Sequence, residues 1–444
     1  MTARHVAVGF LVLPQDRAFF RRPEPFRAAA ESVAESEGPK PWTVAGCVRN
    51  ALLEVTDGDL GEVLEYPRKL VRSAPPGSIG EALGETALFL GTWVVEVRPG
   101  APDRLERVWW PCPAHLARYE PESGGEAVDL LRVEEVGDAA IAFSGHDEAL
   151  RRRYGFMTPK PPRPGSDVET PGRYVDTGTI SKILAGRTPA RRTPDLEDNV
   201  AGPGELLRPE LHVGVKLVGL KTADEGYLYA ARFLRPGRSP VDGGSLVGFL
   251  TVLAVPEDAW DDGVLEDLPS PGGRLGRGRH AWVIPLRAGD WSDDVFPEVE
   301  EPEGDLPGLY LETPTPFPEG DVRSSSPGDR LKAEAVLVRP GSPRDRVLQV
   351  ELEVSEVESE VLADRVIETR RVSTWSGKRA SPDHLAAAEG TVLALGKLDV
   401  DPGTPLLLFP RMGDEDRELL ASRLAFHLSG VGTAYALSLP GVSP

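Results

Sequence analysis

The sequence is short of the residues that most often announce a chemistry. Only two cysteines, Cys47 and Cys112, occur in 444 residues. They form no C-x-x-C pair and no metal spacing, so a disulfide framework and a thiolate metal site are both excluded, and in a reducing cytosol both read as buried thiols. Seven histidines (His5, His115, His146, His212, His280, His384 and His427) show no H-x-x-x-H or H-E-x-x-H spacing. His146-Asp147 is a lone pair, too few ligands for a two-metal site. No G-x-S-x-G elbow is present. Gly377-Lys378 is followed by Arg379, and position 372 is Val372, so no nucleotide phosphate loop is formed. The G-G-D-D signature of a polymerase-like palm is absent, and no cofactor is implied. No apolar run reaches the roughly 18 residues of a membrane span. The run at 6–13 follows Arg4 and ends in Pro14-Gln15-Asp16-Arg17 without a cleavage-like site, which argues against a signal peptide. A cytoplasmic protein with no membrane partner is the expectation.

Net positive charge is lacking too. Lys plus Arg number 50 against 70 Asp plus Glu, giving −20 and a pI near 4.9. Nucleic-acid binders are usually basic, so the total counts against one. The charge is uneven, however. Acidic clusters at 257–267 and 290–305 flank a basic stretch at 274–280, and a groove responds to its local field rather than to the total.

What is present is ordinary for a globular chain: 40% hydrophobic and 27% charged residues. The length allows a large core and two domains. With 47 Gly and 43 Pro, many loops and long insertions between short strands are expected.

The most informative stretch lies near the start. Val6, Val8, Phe10 and Val12 alternate, so 6–13 reads as a strand that Pro14 stops. Thr43 is read as the N-cap of a helix carrying Ala45, Val48, Leu52 and Leu53 on one stripe. The loop between them holds Arg17, Phe19, Phe20, Arg21, Arg22 and Phe26. Basic residues supply phosphate contacts and aromatic faces stack on unpaired bases, as in an RRM-like βαβ unit. The same residues also read as core phenylalanines and solvated arginines.

Along the rest of the chain, 56–85 reads as a long connection, and Ala87–Val97 as strands broken at Gly91. Trp109 and Trp110 are adjacent in a strand, so one is expected in the core and the other partly exposed. Residues 159–165 form a Pro-rich linker, and Thr179 or Ser181 opens a helical turn with Ile180, Ile183 and Leu184 on one side. Leu211 opens a strand, and the run from Thr222 reads as a hairpin turning at Gly226. A buried strand starts at Ser245. In Pro271–Leu286, Gly272, Gly273, Gly276 and Gly278 interleave with Arg274, Arg277, Arg279 and His280. Glycines let backbone N–H groups approach phosphate and arginines neutralise it, although the run also reads as a hairpin with solvated arginines. Strands follow at 332–339 and 347–354. Trp375, Lys378 and Arg379 form an aromatic and basic patch, or an ordinary turn. Glu415–Leu428 is an amphipathic helix, and a last strand closes the chain.

Two runs carry a family resemblance. Asp16, Phe19 or Phe20, Arg21, Pro25, Phe26, Thr43, Gly46 and Arg49 resemble the D-x-L-x-F-R-x-x-x-P-F run and S/T-x-x-G-x-x-R helix of one family, though a usual glycine between Arg and Pro-Phe is missing. Ala223, Glu225, Gly226, Leu228, Tyr229, Phe233, Leu234 and Arg235 match a second family run. The family is the third Cmr subunit of type III-B CRISPR effector complexes, in the RAMP superfamily, in the group similar to the fifth Cas protein.

The resemblance implies an α+β fold of two ferredoxin-like (RRM-like, RAMP) halves with long Pro/Gly-rich insertions. One half spans 1–235, with a thumb-like insertion at about 120–208. The other spans 236–444 and holds the Gly-Arg-rich loop 271–280. It further implies a non-catalytic RNA-binding subunit that holds the crRNA 5′ tag and caps the complex. Its partners would be a large polymerase-like subunit and a backbone RAMP subunit, with target RNA met indirectly. The candidate RNA contacts are Arg17, Phe19, Arg21, Arg22, Phe26, Thr43, Arg49, Lys182, Gly272, Gly273, Arg274, Gly276, Arg277, Gly278, Arg279, His280, Trp375, Lys378 and Arg379. The alternatives are a metal-independent endoribonuclease using His280 or His212 on precursor crRNA, and an architectural adaptor that touches only protein.

Overall fold

A computed structural model describes residues 2–20, 33–34, 36, 38–56, 58–70, 83, 86–135, 154–189, 193–202, 204–218, 222–237, 245–268, 273–275, 279–299, 301–316, 330–365, 369–372, 375–376, 379–380, 384–410 and 428–441. The architecture is α+β, mostly antiparallel sheet with few helices. The main sheet contains β1 (Thr2–Pro14), β2 (Leu88–Arg98), β3 (Ala101–Pro111), β4 (Tyr174–Asp176), β5 (Val200–Ala201), β6 (Leu246–Pro256), β7 (Gly273–Leu275), β8 (Arg279–Pro285), β9 (Leu306–Leu311), β10 (Arg330–Arg344), β11 (Val347–Arg365), β12 (Val392–Leu395), β13 (Pro405–Pro410) and β14 (Thr433–Leu439). The helices that cover it are α1 (Pro41–Leu53), α2 (Gly58–Leu70) and α3 (Thr177–Leu184).

β1 is the hub. It pairs with β6 along His5–Val12, with β11 through Thr2–Ala7, and with β8 through Phe10–Pro14, always antiparallel. Beyond β6 the sheet continues through β2, β3, β4 and β5. The order β8-β1-β6-β2 is antiparallel throughout. Between β6 and β8 the described residues carry only 3-10 turns, Glu257–Ala259 and Asp262–Leu265, and the short β7.

Beyond β11 the pairings run β10, β13, β14, β9 and β12, and β12 returns to the far end of β11. This closes a ring. Alternation within it divides the side chains. Leu309, Leu311, Ala335, Leu337, Leu393, Leu406 and Leu408 form one core. Tyr310, Val336, Val338, Leu407 and Tyr435 join a larger core with Leu11, Leu90, Trp110 and Val252 from the first part of the sheet. The opposite face of β1 presents Val6, Val8, Phe10 and Val12 to Val44, Val48 and Leu52 of α1.

This double burial corrects the expectation for the adjacent tryptophans. Both are fully buried. Trp109 lies in the α1 layer and donates from Nε1 to Glu96 Oε1 at 2.8 Å. Trp110 lies in the other layer, edge-on to Trp93 and Tyr435. A strand with a layer on each side leaves neither residue to solvent.

Other expectations change locally. β2 runs unbroken through Gly91, whose φ of 49° marks a register shift opposite Thr251; Thr251 Oγ1 donates to Gly91 O at 3.0 Å. α1 starts at Pro41 with Lys40 as N-cap, and the Thr43 N–H donates to Lys40 O at 2.9 Å inside the first turn. Proline at N1 sets the helix going without a side-chain cap. The stretch 56–85, read as a connection, contains α2, because Leu60 and Leu64 four residues apart pack into the α1 layer. Thr222–Pro236 is one strand pairing antiparallel with Leu207–Val218. Gly226 therefore lies within it, at the register shift between the pairs Val215–Leu228 and Leu217–Ala223. α3 begins at Thr177, ahead of both Thr179 and Ser181, capped by Asp176, whose carboxylate accepts from the Thr179 N–H at 2.9 Å. Within the 120–208 stretch, β4, α3 and β5 lie along the edge of the main sheet beside β3. The expected helix at 415–428 falls almost wholly outside the described residues.

Candidate nucleic-acid interface

The geometry follows from where β1 stops. Pro14 is paired with Ala281 of β8, and the Gln15 N–H donates to His280 O at 3.2 Å. The early Phe-Arg loop thus begins at the foot of the Gly-Arg hairpin. Three residues on, the Ala18 N–H donates to Leu234 O at 2.8 Å, and Ala18 O accepts from the Leu234 N–H at 2.9 Å. That clips the loop to the long hairpin of Leu207–Val218 and Thr222–Pro236. Three elements distant in sequence converge at one end of β1.

The early loop is held by its own chain. Phe19 is buried and its ring lies 5.0 Å from Phe233; Phe20 sits edge-on to Phe249. The Arg17 guanidinium stands 5.4 Å over the Phe233 ring and ion-pairs with Glu210 at 3.5 Å and Asp16 at 3.8 Å. Its Nη1 also meets His212 Nε2. Arg235 completes the network, 2.9 Å from Glu210 and 3.6 Å from Asp16. The hydrogen bond from Arg235 pulls the Glu210 carboxyl below its ordinary range, and the same bond raises the Arg235 pKa. Arg21, Arg22 and Phe26 lie outside the described residues.

The Gly-Arg hairpin is different. β7 and β8 pair Gly273 with Ala281, Arg274 with His280 and Leu275 with Arg279. Gly273 is buried, and a Cβ there would come within 2.5 Å of Cys47 Sγ and 2.8 Å of Val283. Its missing side chain lets α1 close on the hairpin. Leu275, Ala281 and Val283 share that inner face. Arg274 and His280 point the other way and are exposed. Neither side chain bonds to any described residue. Of the remaining hairpin candidates, Gly272, Gly276, Arg277 and Gly278 are not described, and neither is the Arg279 side chain.

Of the other candidates, Thr43 and Arg49 belong to α1, the helix that closes on the hairpin at Cys47. Thr43 is half-buried in the first turn of α1. Arg49 is buried, bonded from Nη2 to Ser429 Oγ at 3.3 Å and placed 5.2 Å over the Phe89 ring. Lys182 is exposed on α3, which follows β4; β3, β2 and β6 separate β4 from β1. At about 4.8 Å per strand, that is roughly 20 Å across the sheet. Trp375 and Arg379 belong to a separate two-stranded ribbon, Trp375–Ser376 with Arg379–Ala380. Their side chains and Lys378 lie outside the described residues.

Sequence reasoning missed two features. Glu210 ties down both Arg17 and Arg235, a pairing across strands that a linear reading does not contain. Trp282 is exposed on the face shared by His280, and the alternation His280, Trp282, Ile284 against Ala281, Val283 carried that signal.

A separate cavity at the junction of the sheet's two parts is lined by Lys40, Trp42, Trp109, Tyr174, Glu312 and Glu389, among others. Glu312 is buried and accepts from the Thr92 N–H at 3.4 Å, while its Oε2 has no hydrogen-bond partner among the described residues. Burial drives its pKa well above the ordinary 4.5. The two thiols, also buried, are pushed up to about 12. Among the described residues no group of His, Cys, Asp and Glu is arranged to hold a metal ion, and no helix is long and apolar enough to cross a membrane.

The family described as "CRISPR-associated protein (Cas_Cmr3)" matches residues 10–439. No curated protein sequence matches the chain. Similar solved structures include a chain of the type III-B Cmr-beta complex bound to cognate target RNA, at 13% identity and TM-score 0.39, covering 87% of this chain and 86% of that one. A chain of the same complex with target RNA and AMPPnP gives 12%, 0.35 and the same coverage. A chain of the Csm3-Csm4 subcomplex of the type III-A interference complex gives 9% and 0.37, covering 91% of this chain and all of that one. With the family match spanning β1 to β14, this chain belongs to the Cas_Cmr3 family of CRISPR-associated proteins, the third Cmr subunit of type III-B effector complexes.

Proposed function

We propose that this subunit holds the 5′ tag of the guide RNA at the end of β1 and does no chemistry on it. The observation that carries the reading is the junction of Pro14 with Ala281 and of Gln15 with His280, which puts the Gly-Arg hairpin beside the early loop. Had those elements lain on opposite sides of the molecule, no single groove would join them. In this reading the hairpin supplies phosphate contacts through Arg274, Arg277 and Arg279. Arg17, Phe19 and Arg49 shape the ground beneath, because each is engaged within the chain.

Two strand orders support a pair of ferredoxin-like halves. A split βαβ unit places its strands in the order 4-1-3-2, all antiparallel. β8-β1-β6-β2 follows that order in chain sequence, and so does β14-β9-β12-β11. The first half then ends after Pro285, later than the 235/236 division that the resemblance suggests. The long hairpin of 207–236 is the insertion that reaches from it, and a large polymerase-like subunit and a backbone subunit are the protein partners.

The test is a filter-binding titration of guide RNA against salt. Changing Arg274, Arg277 and Arg279 together to Ala should weaken binding and flatten the salt dependence, by about 0.7 in log–log slope for each phosphate no longer neutralised. Unchanged affinity and slope would refute the reading. Incubation with precursor RNA in chelator should give no cleavage. Specific cuts that disappear in His280→Ala would favour the endoribonuclease instead.

A further inference from the structure

We propose that Trp282 is a stacking platform for an unpaired RNA base, with Arg274 and His280 as its polar rim. This rests on the reading of the hairpin as an RNA contact and names a residue and a ligand group within it.

Alternation along β8 sets the two faces. Ala281 and Val283 face α1, so His280, Trp282 and Ile284 face away. Arg274, paired with His280, shares the outer face. Ile284 still packs against the large core, but Trp282 is 42% exposed. The edge of the core therefore falls between these two residues. Of the described tryptophans, Trp282 is the one left exposed; Trp93, Trp109, Trp110 and Trp291 are all fully buried. Leaving a large ring in water forgoes burial that four other tryptophans of this chain obtain.

The surroundings point to a flat, anionic ligand. Trp282 is paired with Leu13, next to the turn into the early loop. On the other side of Leu13 lies Gly248, where a Cβ would come within 2.7 Å of Leu13 Cδ2, so the leucine lies over the glycine. Leu246, two residues out on the same face, is also exposed. Trp282 and Leu246 are thus exposed apolar side chains on one face of the sheet, on the two strands that flank buried Leu13. Arg274 and His280 bring cationic and hydrogen-bonding groups to this face. Two carboxylates at this end of the sheet are engaged: Asp16 faces Arg17 and Arg235, and Glu106 lies 3.3 Å from Arg98 and accepts from Ser245 at 3.2 Å. A ring with an arginine beside it suits a base and its phosphate together.

The experiment uses the full chain and a fluorescently labelled, unstructured single-stranded RNA. Trp282→Ala and Trp282→Leu should each weaken binding by about 5- to 100-fold, the scale of one base–aromatic stack, without changing the salt slope. Trp282→Phe, which keeps a π-face, should stay within about threefold of wild type. Circular dichroism melts confirm that each variant folds. If the Ala and Leu variants bind as wild type while the triple arginine variant binds weakly, the stacking role is wrong and the RNA reading stands. If the triple variant also binds as wild type, both fall. If Trp282→Ala spares RNA binding but abolishes co-assembly with the partner subunits, the ring is a protein contact and the proposal is overturned.

Discussion

Two arginine-rich regions meet at the end of β1, and they have opposite fates. In the early loop Arg17 is capped by Phe233, flanked by Asp16 and Glu210, and joined to Arg235 through the same carboxylates. In the Gly-Arg hairpin Arg274 and His280 stand exposed without a bond to any described residue. Both regions look alike as strings of cations and aromatics. The difference lies in carboxylates that arrive from elsewhere: Glu210 comes from the long hairpin, whereas no described carboxylate pairs with Arg274 or His280. A cation already neutralised at short range has little left to offer a phosphate, so the proposed reading assigns RNA contact to the hairpin and scaffolding to the loop.

The largest break in that comparison should come from the triple change of Arg274, Arg277 and Arg279 to Ala. It should lower RNA affinity by about tenfold or more at moderate salt, read as Kd by filter binding. The corresponding change in the loop, Arg17→Ala, should leave Kd within about threefold, since its charge is spent on internal pairs. A loop variant that hurts RNA binding as much as the hairpin variant would erase the distinction.

Stability sharpens the contrast from the other side. Gly273→Ala pushes a methyl into Cys47 and Val283 and should cost about 1–3 kcal/mol in urea unfolding, the range for overpacking a filled site. Arg17→Ala should lower the melting temperature by less than Gly273→Ala does.

The junction cavity offers a pH test independent of both regions. The Glu312 pKa in the folded chain lies above its unfolded value because burial penalises the carboxylate. The folded state therefore keeps a proton that the unfolded state releases. This contribution to stability is intact below the unfolded pKa and declines as pH rises toward the folded one, by at most about 1.4 kcal/mol per pH unit. Glu312→Gln should remove that decline, visible as a flatter profile of urea-unfolding free energy between about pH 5 and pH 8. A profile as steep as wild type would show that Glu312 is ionised in the fold. The smallest expected effect concerns thiol labelling. With both pKa values pushed up to about 12, Cys47 and Cys112 should react with a thiol reagent only after unfolding.

Much of the fold was legible in the residues. Alternation from Val6 to Val12 marked β1, and the Ile180, Ile183 and Leu184 stripe marked α3. The two runs at 16–49 and 223–235 pointed to the family. What was hidden depended on layers. Trp109 and Trp110 are both buried because the sheet is covered on both faces, and no local pattern reports a second layer. Thr43 resembled a cap, but Pro41 began the helix earlier. Gly226 resembled a turn because a glycine in a strand and a glycine in a turn look alike until the partner strand is known. Within the candidate site, adjacency of the hairpin and the early loop required knowing that β8 pairs with β1, a pairing across more than half the chain. Trp282 needed only the period-two pattern already visible in β8.

The central claim is that guide RNA lies on the Gly-Arg hairpin at the end of β1. Its most direct test is photocrosslinking of 4-thiouridine-substituted guide RNA in the assembled complex, followed by peptide mapping. The predicted result is crosslinking of the 5′ tag to the peptide containing Arg274 to Trp282. Tag crosslinks confined to other peptides, such as the one bearing Lys182 on α3, would contradict it.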